Sequence, residues 1–122
     1  MSSQRISVLV VEDEALVRMG MVDFLEDSGF EVFEAANADE ALDLLARHDS
    51  IRVLFTDIDM PGSMDGLRLA AAVRDRWPPV KIVVTSGHRS VTPPDLPEAA
   101  RFFHKPYNPD EVALTFRTLV GV

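Results

Sequence analysis

The sequence has no cysteine, a single tryptophan and only three histidines among its 122 residues. Without cysteine the chain can form neither a disulfide framework nor a thiolate metal site, and it has no thiol nucleophile. The histidines, His48, His88 and His104, are too scattered to suggest a metal triad or a phosphohistidine relay. Redox chemistry and zinc chemistry on such ligands are therefore excluded as starting hypotheses.

Basic residues and long apolar runs are also scarce. Lys and Arg total 12 against 20 Asp and Glu, which gives a net charge of −8. Affinity for nucleic-acid phosphates depends on clustered Lys and Arg, so this balance argues against direct nucleic-acid binding and favours protein partners. No apolar run reaches the roughly 20 residues of a membrane-spanning helix, and no signal-peptide stretch opens the chain. We expect a cytoplasmic protein that does not contact a membrane.

The pattern of the remaining residues predicts an α/β fold. A length of 122 residues fits one domain, so we expect residues 1–122 to form a single unit. Short apolar β-rich runs alternate with segments of helical periodicity, which is typical of a mostly parallel sheet. Because these runs are apolar throughout, both faces of the sheet should be buried.

The boundaries of the elements follow from this alternation. Strands are expected over 6–11, 30–35, 53–56, 80–84 and 102–104, and helices over about 14–28, from 37 through 45, over 64–77 and from 108 onward. Asn37 with Glu40 resembles a capping box, and Asn108 before Pro109 marks the start of the last helix. Leu16, Met19, Val22 and Phe24 are the apolar positions expected to follow the turns of the first helix.

Charged and hydroxyl side chains fall where the predicted strands end. They are Glu12 and Asp13 after the first strand, Asp57 after the third, Thr85 at the end of the fourth and Lys105 after the fifth. Right-handed crossovers bring the carboxyl ends of parallel strands to one edge of a sheet, where open α/β folds bind their ligands. Any one of these residues alone would more often be a solvated loop residue, but together they predict one site.

The chemistry of that site suits a divalent cation and a phosphoryl group. Carboxylates roughly 5 Å apart repel by about 3 kcal/mol at an effective dielectric of 20, so the acid cluster calls for a hard cation such as Mg²⁺. An aspartate can act as a nucleophile toward phosphorus, and Asp57 lies centrally in the cluster. Lys105 and Thr85 can then bind the oxygens of the transferring group.

Five segments carry a specific family resemblance. They are Val10–Glu14, Thr56–Gly62, Met64–Gly66, Val84–Gly87 and Lys105–Tyr107. In their order and spacing they resemble the response regulator receiver domain over essentially the whole chain. The resemblance implies a flavodoxin-like (βα)5 three-layer sandwich with a five-stranded parallel sheet in the order 2-1-3-4-5.

The resemblance also implies a function and a cofactor. Asp57 would accept a phosphoryl group from a histidine kinase or a histidine phosphotransfer protein in a reaction that requires Mg²⁺. The Mg²⁺ ligands would be Asp13, Asp57 and the backbone carbonyl of Asp59, with Glu12 contributing through water. Such a chain catalyses its own phosphorylation and dephosphorylation and is otherwise not an enzyme.

The switch implied by the resemblance involves residues of the fourth and fifth strands. Thr85 would follow the phosphoryl group inward, and Phe102 would occupy the position of the family's rotating aromatic. Lys105 would bind the phosphoryl group, and the bond between Lys105 and Pro106 is expected to be cis. Through these residues phosphorylation would change a surface that binds a downstream protein.

Two departures from the family pattern stand out. Ser63 lengthens the loop after Asp57 by one residue, and the hypothesis is that it alters access to the site without abolishing the chemistry. Between Gly87 and Arg101 the chain has three prolines within 93–97, where the family normally has a regular fourth helix. We expect an irregular or shortened fourth helix and an unusual output surface.

Two other functions remain possible on sequence grounds. The pair Asp57 and Asp59 also resembles the nucleophile and acid/base of haloacid-dehalogenase-type phosphatases, although those enzymes generally need a longer chain and would leave Glu12 and Asp13 unexplained. The second alternative is a pseudo-receiver that binds its partner without phosphorylation. The intact set of site residues argues against that alternative.

Overall fold

The computed structural model describes residues 5–62, 64–88, 94 and 96–121. Within them the chain runs in order through β1 (Ser7–Val11), α1 (Ala15–Asp27), β2 (Glu31–Ala35), α2 (Ala38–Arg47), β3 (Ile51–Asp57), α3 (Gly66–Arg76), β4 (Lys81–Ser86), β5 (Arg101–His104) and α4 (Pro109–Val120). The alternation of strand and helix confirms the predicted α/β class.

The five strands form one parallel sheet in the order β2-β1-β3-β4-β5. This is the flavodoxin-like order that the resemblance implied. β1, the first strand in sequence, pairs with both β2 and β3 in the middle of the sheet, whereas β2 and β5 are the edges. Because every pairing is parallel, the carboxyl ends of all five strands lie on the same side of the molecule.

Helices cover both faces of the sheet and make two cores. Leu9 and Val11 of β1 pack into one core with residues of α2 and α3, while Val8 and Val10 pack into the other core with residues of α1 and α4. The alternation of side chains along a strand sends successive residues to opposite faces, so apolar residues at every position are what a doubly covered strand requires. The predicted three-layer arrangement is confirmed.

The caps confirm two of the predicted helix starts and move a third. Glu40 N donates to Asn37 Oδ1 over 2.9 Å, and Glu40 Oε1 accepts from Ala36 N over 2.8 Å, so Asn37 caps the start of α2 as expected. Asn108 accepts from Asp110 N and caps α4. The third helix begins at Gly66 instead of residue 64, because the side chain of Asp65 accepts from Arg68 N and caps the helix there.

α1 buries only part of the set of apolar positions that the sequence suggested. Val22 is buried and Phe24 partly buried, as suggested, but Leu16 and Met19 are 83% and 54% exposed, and Met21 and Leu25 are buried. The apolar residues of this helix lie on several faces, so its periodicity does not identify the side that packs on the sheet. Gly29, with φ at +98°, ends the helix as predicted.

The segment between β4 and β5 has no helix among its described residues, 87, 88, 94 and 96–100. This agrees with the expectation that the prolines prevent a regular fourth helix, and the described part of the chain has four helices in all. Ser63 lies outside the described residues, as do residues 89–93 and 95. Among the helices of the described chain, none is long and apolar enough to cross a membrane.

Candidate functional site

The register of the sheet brings the predicted residues to one edge. Asp57, the last residue of β3, lies opposite Thr85 of β4, and Ser86 lies opposite His104 of β5. Glu12 directly follows β1, and Lys105 directly follows β5. Four neighbouring strands therefore end at a common level, as the sequence predicted.

Three carboxylates form a compact cluster at this edge. Ligand oxygens of Glu12, Asp13 and Asp57 all lie within 4.8 Å of one another. Glu12 and Asp57 are only 5% and 6% exposed, while Asp13 is open to solvent. An all-oxygen set with two buried acids and one open side fits a hard divalent cation that keeps part of its hydration.

An ammonium group partly neutralises the cluster. Nζ of Lys105 lies 3.0 Å from Oδ2 of Asp57 and 3.4 Å from Oε1 of Glu12. The two acids are buried and Lys105 is half-buried, so these charges interact with less screening than a surface pair would. One ammonium against three carboxylates still leaves the site electronegative and able to attract a cation.

The pKa values of two groups reflect this balance. Burial raises the pKa of Glu12, and the charge of Asp57 acts in the same direction, against the opposing effects of the Glu14 backbone N–H and of Lys105. Burial lowers the pKa of Lys105, but the hydrogen bonds and charges of Asp57 and Glu12 outweigh it, so the net pKa is above its ordinary value. Lys105 is therefore held as a cation, whereas the charge on Glu12 is costly.

Asp59 links the acid cluster to β4. Its backbone N–H donates to Oδ1 of Asp57 over 3.3 Å, and its carboxylate accepts a hydrogen bond of 2.7 Å from the hydroxyl of Ser86. In the predicted metal site, Asp59 contributes only its backbone carbonyl. The sequence motif included Ser86, but nothing in the sequence showed that its side chain would meet the carboxylate of Asp59.

Gly66 is a second residue whose role the sequence did not reveal. A Cβ at this position would lie 2.0 Å from the carbonyl oxygen of Asp57 and 2.7 Å from the Cα of Ile58. Gly66 N also donates to the Ile58 carbonyl over 3.0 Å. The start of α3 is thus packed directly against the backbone that carries Asp57, and a glycine is required for this approach.

Arg18 supports the first acid of the cluster from α1. Its Nη1 donates to the carbonyl of Glu12 over 2.7 Å, and its Nε donates to Glu34 of β2 over 2.9 Å. The side chain is mostly buried, and it lines a small cavity together with Asp57 and Thr85. An arginine near the start of a helix gives no sequence signal for this contact, which depends on β2 lying beside β1.

The two predicted switch residues lie on different strands and differ in how far they are buried. Thr85 is buried beside Asp57, whereas Phe102 lies opposite Val84 and packs, partly buried, against the core on the α2 and α3 side. The Lys105–Pro106 bond is cis, as expected. Tyr107, for which no role was predicted, packs edge-on against Phe55, and burial raises its pKa.

Sequence comparison finds relatives over nearly the whole chain. The model of the family described as response regulator receiver domain matches residues 8–117. The chain is 34% identical to the sensor kinase CckA of Brucella abortus over 93% of its own length and 12% of that protein. It is 31% identical to the aerobic respiration control protein ArcA of Escherichia coli, again over 93% of its length and 48% of the relative. The chain thus spans less than half of these proteins.

Comparison with solved structures also identifies response regulators as similar proteins. The response regulator TrrA of Thermotoga maritima, solved in complex with Mg²⁺ and BeF, superposes with a TM-score of 0.84 at 28% identity, covering 93% of this chain and 98% of that one. NtrX of Brucella abortus, in complex with ATP, superposes with a TM-score of 0.86 at 30% identity, covering 97% of this chain and 27% of that one. The fold, the match over residues 8–117 and these relatives together show that the chain belongs to the response regulator receiver domain family.

Proposed function

We propose that Asp57 accepts a phosphoryl group from a phosphohistidine of a histidine kinase or a histidine phosphotransfer protein. The observation that carries this proposal is the placement of the Lys105 ammonium 3.0 Å from the Asp57 carboxylate, within a cluster that already contains two further acids. An isolated surface aspartate would have neither a fixed cation nor a metal-binding surround. In this view residues 1–122 act as one receiver unit.

The transfer reaction breaks one bond to phosphorus and forms another. The phosphorus–nitrogen bond of the donor phosphoimidazole breaks as a carboxylate oxygen of Asp57 bonds to phosphorus, and the imidazole leaves with the electron pair and takes a proton from solvent. Lys105 moves its ion pair from the Asp57 oxygen to an oxygen of the phosphoryl group. The hydroxyl of Thr85, opposite Asp57 in the sheet, donates to another.

The acids also define which cation the reaction needs. Asp13, Asp57 and the backbone carbonyl of Asp59 would hold Mg²⁺, with Glu12 acting through water. When bound, Mg²⁺ supplies positive charge that offsets the repulsion among the carboxylates and the charge of the phosphoryl oxygens. The buried position of Glu12, which makes its charge costly without a cation, supports this assignment.

Phosphorylation would act on a downstream protein through the sheet. As Thr85 turns toward the phosphoryl group, the space beside β4 changes, and Phe102 on the neighbouring strand β5 can move inward. Phe102 is only partly buried, so it has room to change its exposure. The downstream protein would then bind the changed surface around β5. The receiver itself turns over no other substrate.

Intact-mass measurement tests the proposal. The chain is incubated with MgCl₂ and a small phosphodonor such as acetyl phosphate, and the wild type is compared with Asp57→Asn and with Asp75→Asn, which changes an exposed aspartate on α3. We expect one Mg²⁺-dependent phosphoryl adduct in the wild type and in Asp75→Asn, and none in Asp57→Asn.

Other outcomes would point to the alternative functions. If the wild type binds Mg²⁺ but forms no adduct, the proposal is wrong and a phosphorylation-independent binding module is favoured. Continuous turnover of a small phosphate ester would instead favour a phosphatase. A switching receiver should bind its partner with a different affinity once Asp57 is phosphorylated, because phosphorylation and partner binding are coupled. Equal partner binding by the wild type and by Asp57→Asn after phosphodonor treatment would therefore also contradict the proposal.

A further inference from the structure

A chain of hydrogen bonds runs from the acid cluster to the beginning of the segment that joins β4 to β5. The Ser86 hydroxyl donates to Oδ2 of Asp59 over 2.7 Å and accepts from the backbone N–H of His88 over 3.1 Å. Asp59 in turn donates its own backbone N–H to Oδ1 of Asp57. Asp57 and His88 are therefore connected through two intervening residues.

The geometry makes the Ser86 contact a strong one. Ser86 is fully buried, and a hydroxyl that donates to a carboxylate over 2.7 Å is a charge-assisted hydrogen bond, which is stronger than a neutral one. Both the donor and the acceptor function of the hydroxyl are in use, so its orientation is fixed. The carboxylate of Asp59 is consequently held against β4.

We propose that Ser86 is a positioning residue that couples cation binding at the acid cluster to the backbone of His88. This inference rests on the proposed function, because it concerns the same site. A cation that binds the Asp57 carboxylate changes the strength and geometry of the hydrogen bond that the Asp59 N–H donates to it. The Asp59 side chain passes that change to the Ser86 hydroxyl. The route is separate from the one through Thr85 and Phe102.

The coupling has a direct consequence for the surface of the molecule. His88 is exposed and lies where the chain leaves β4, so the Ser86 hydroxyl connects the site with the start of the segment between β4 and β5. Energetic coupling is reciprocal, so a partner that fixes the backbone at His88 would also change the affinity of the site for Mg²⁺. A titration with Mg²⁺ measures this coupling directly.

Amide NMR during a titration with MgCl₂ alone provides that measurement. In the wild type we expect the amide resonances of Asp59 and His88 to shift with the same midpoint. In Asp59→Ala, which removes the carboxylate but leaves the Ser86–His88 hydrogen bond possible, the His88 shift should fall several-fold. Asp59→Asn, whose amide oxygen can still accept from Ser86, should restore it.

Ser86→Ala and a matched control complete the design. Ser86→Ala should lose the His88 response as Asp59→Ala does, and the double variant should lose no more than either single one, because both act on one contact. Ser28→Ala removes a hydroxyl that donates to the Phe24 carbonyl at the end of α1, far along the chain from the site, and it should leave the response unchanged.

Either of two results would overturn the inference: no Mg²⁺ response at His88 in the wild type, or a full response in Asp59→Ala. The NMR titration contains no phosphodonor, so its result does not depend on whether Asp57 can be phosphorylated. A chain that transmits Mg²⁺ binding to His88 but never forms an adduct on Asp57 contradicts phosphotransfer alone. A chain that forms the adduct and keeps the full response in Asp59→Ala contradicts this coupling alone.

Discussion

Gly66 and Asp57 approach each other so closely that a single added carbon would not fit between them. The Cβ of an alanine at position 66 would lie 2.0 Å from the Asp57 carbonyl oxygen, and both the start of α3 and the end of β3 are backbone that is fixed by other hydrogen bonds. The glycine therefore sets the distance between α3 and the residue that carries the site.

Gly66→Ala should destabilise the protein. Overpacking of this kind costs about 1–3 kcal/mol or more, because backbone atoms have to move. We expect a lower midpoint in urea unfolding and weaker Mg²⁺ binding, since Asp57 is displaced. Gly20→Ala is the matched control: nothing lies within 4 Å of a Cβ there, and alanine in a helix is favoured over glycine by about 0.5–1 kcal/mol. Equal stability of Gly66→Ala and the wild type would contradict the close packing.

Glu12→Gln should stabilise the protein when no divalent cation is present. The pKa of Glu12 is raised, mainly by burial, so the folded state binds its proton more tightly than the unfolded state does. Stability from this group is present at low pH and is lost as pH rises above about 4.5, the ordinary value, through the folded pKa. The uncharged glutamine side chain avoids that loss at neutral pH. We therefore expect Glu12→Gln to melt at a higher temperature than the wild type in EDTA.

The melting temperature of Glu12→Gln should also respond less to Mg²⁺ than that of the wild type. A cation that binds the acid cluster stabilises the folded state by an amount that grows with the logarithm of its affinity, and Glu12→Gln lowers that affinity. We expect a smaller increase in melting temperature with MgCl₂ than in the wild type. Glu26→Gln, which neutralises an exposed acid on α1, should show the full increase. If Glu12→Gln melts lower than the wild type in EDTA at neutral pH, burial of its charge is not the dominant effect.

Ala99→Gly should raise stability. Ala99 has φ at +70°, a conformation that costs an L-residue about 1–2 kcal/mol and that glycine adopts readily. The greater freedom of glycine in the unfolded chain removes part of the gain, so we expect an increase in unfolding free energy of up to about 1 kcal/mol. Ala100→Gly is the neighbouring control and should be destabilising, since Ala100 packs against the core. Urea unfolding of the two variants decides the matter.

Arg18→Met should cost more than Glu34→Gln. The arginine bonds both the Glu12 carbonyl and the half-exposed Glu34 carboxylate. Losing the donor to the carbonyl costs about 1–3 kcal/mol, whereas an ion pair open to solvent contributes about 0–1 kcal/mol. Unfolding free energies of the two single variants and the double variant separate these contributions. Equal losses in the two single variants would place the whole effect in the ion pair.

Much of the fold could be predicted from the sequence because its signals are local. Apolar strand runs, the Asn37 and Asn108 caps and the position of Asp57 at a strand end all depend on residues close together in the chain. α1 was harder: its apolar residues occur on several faces, and only the packed structure shows that Met21 and Leu25 are the buried ones.

The supporting contacts of the site could not be predicted for a similar reason. Ser86 with Asp59 and Arg18 with Glu34 join residues on different elements, and their meeting depends on the strand order and register. Gly66 was visible as part of a motif, but its contact with the Asp57 backbone depends on how the loop after β3 folds back. Charged residues at strand ends indicate a site, whereas the residues that hold them in place carry no such mark.

The Lys105 contacts have a consequence for the newly made chain. They join residues 48 and 93 positions apart, so the ammonium is the last part of the site to leave the ribosome. Until it arrives, Glu12 and Asp57 lack the cation that they face in the folded chain. A truncated product that ends before residue 105 would carry Asp57 without its ammonium partner. Competence of the site would thus report that the segments carrying Glu12, Asp57 and Lys105 have all been synthesised and have folded together.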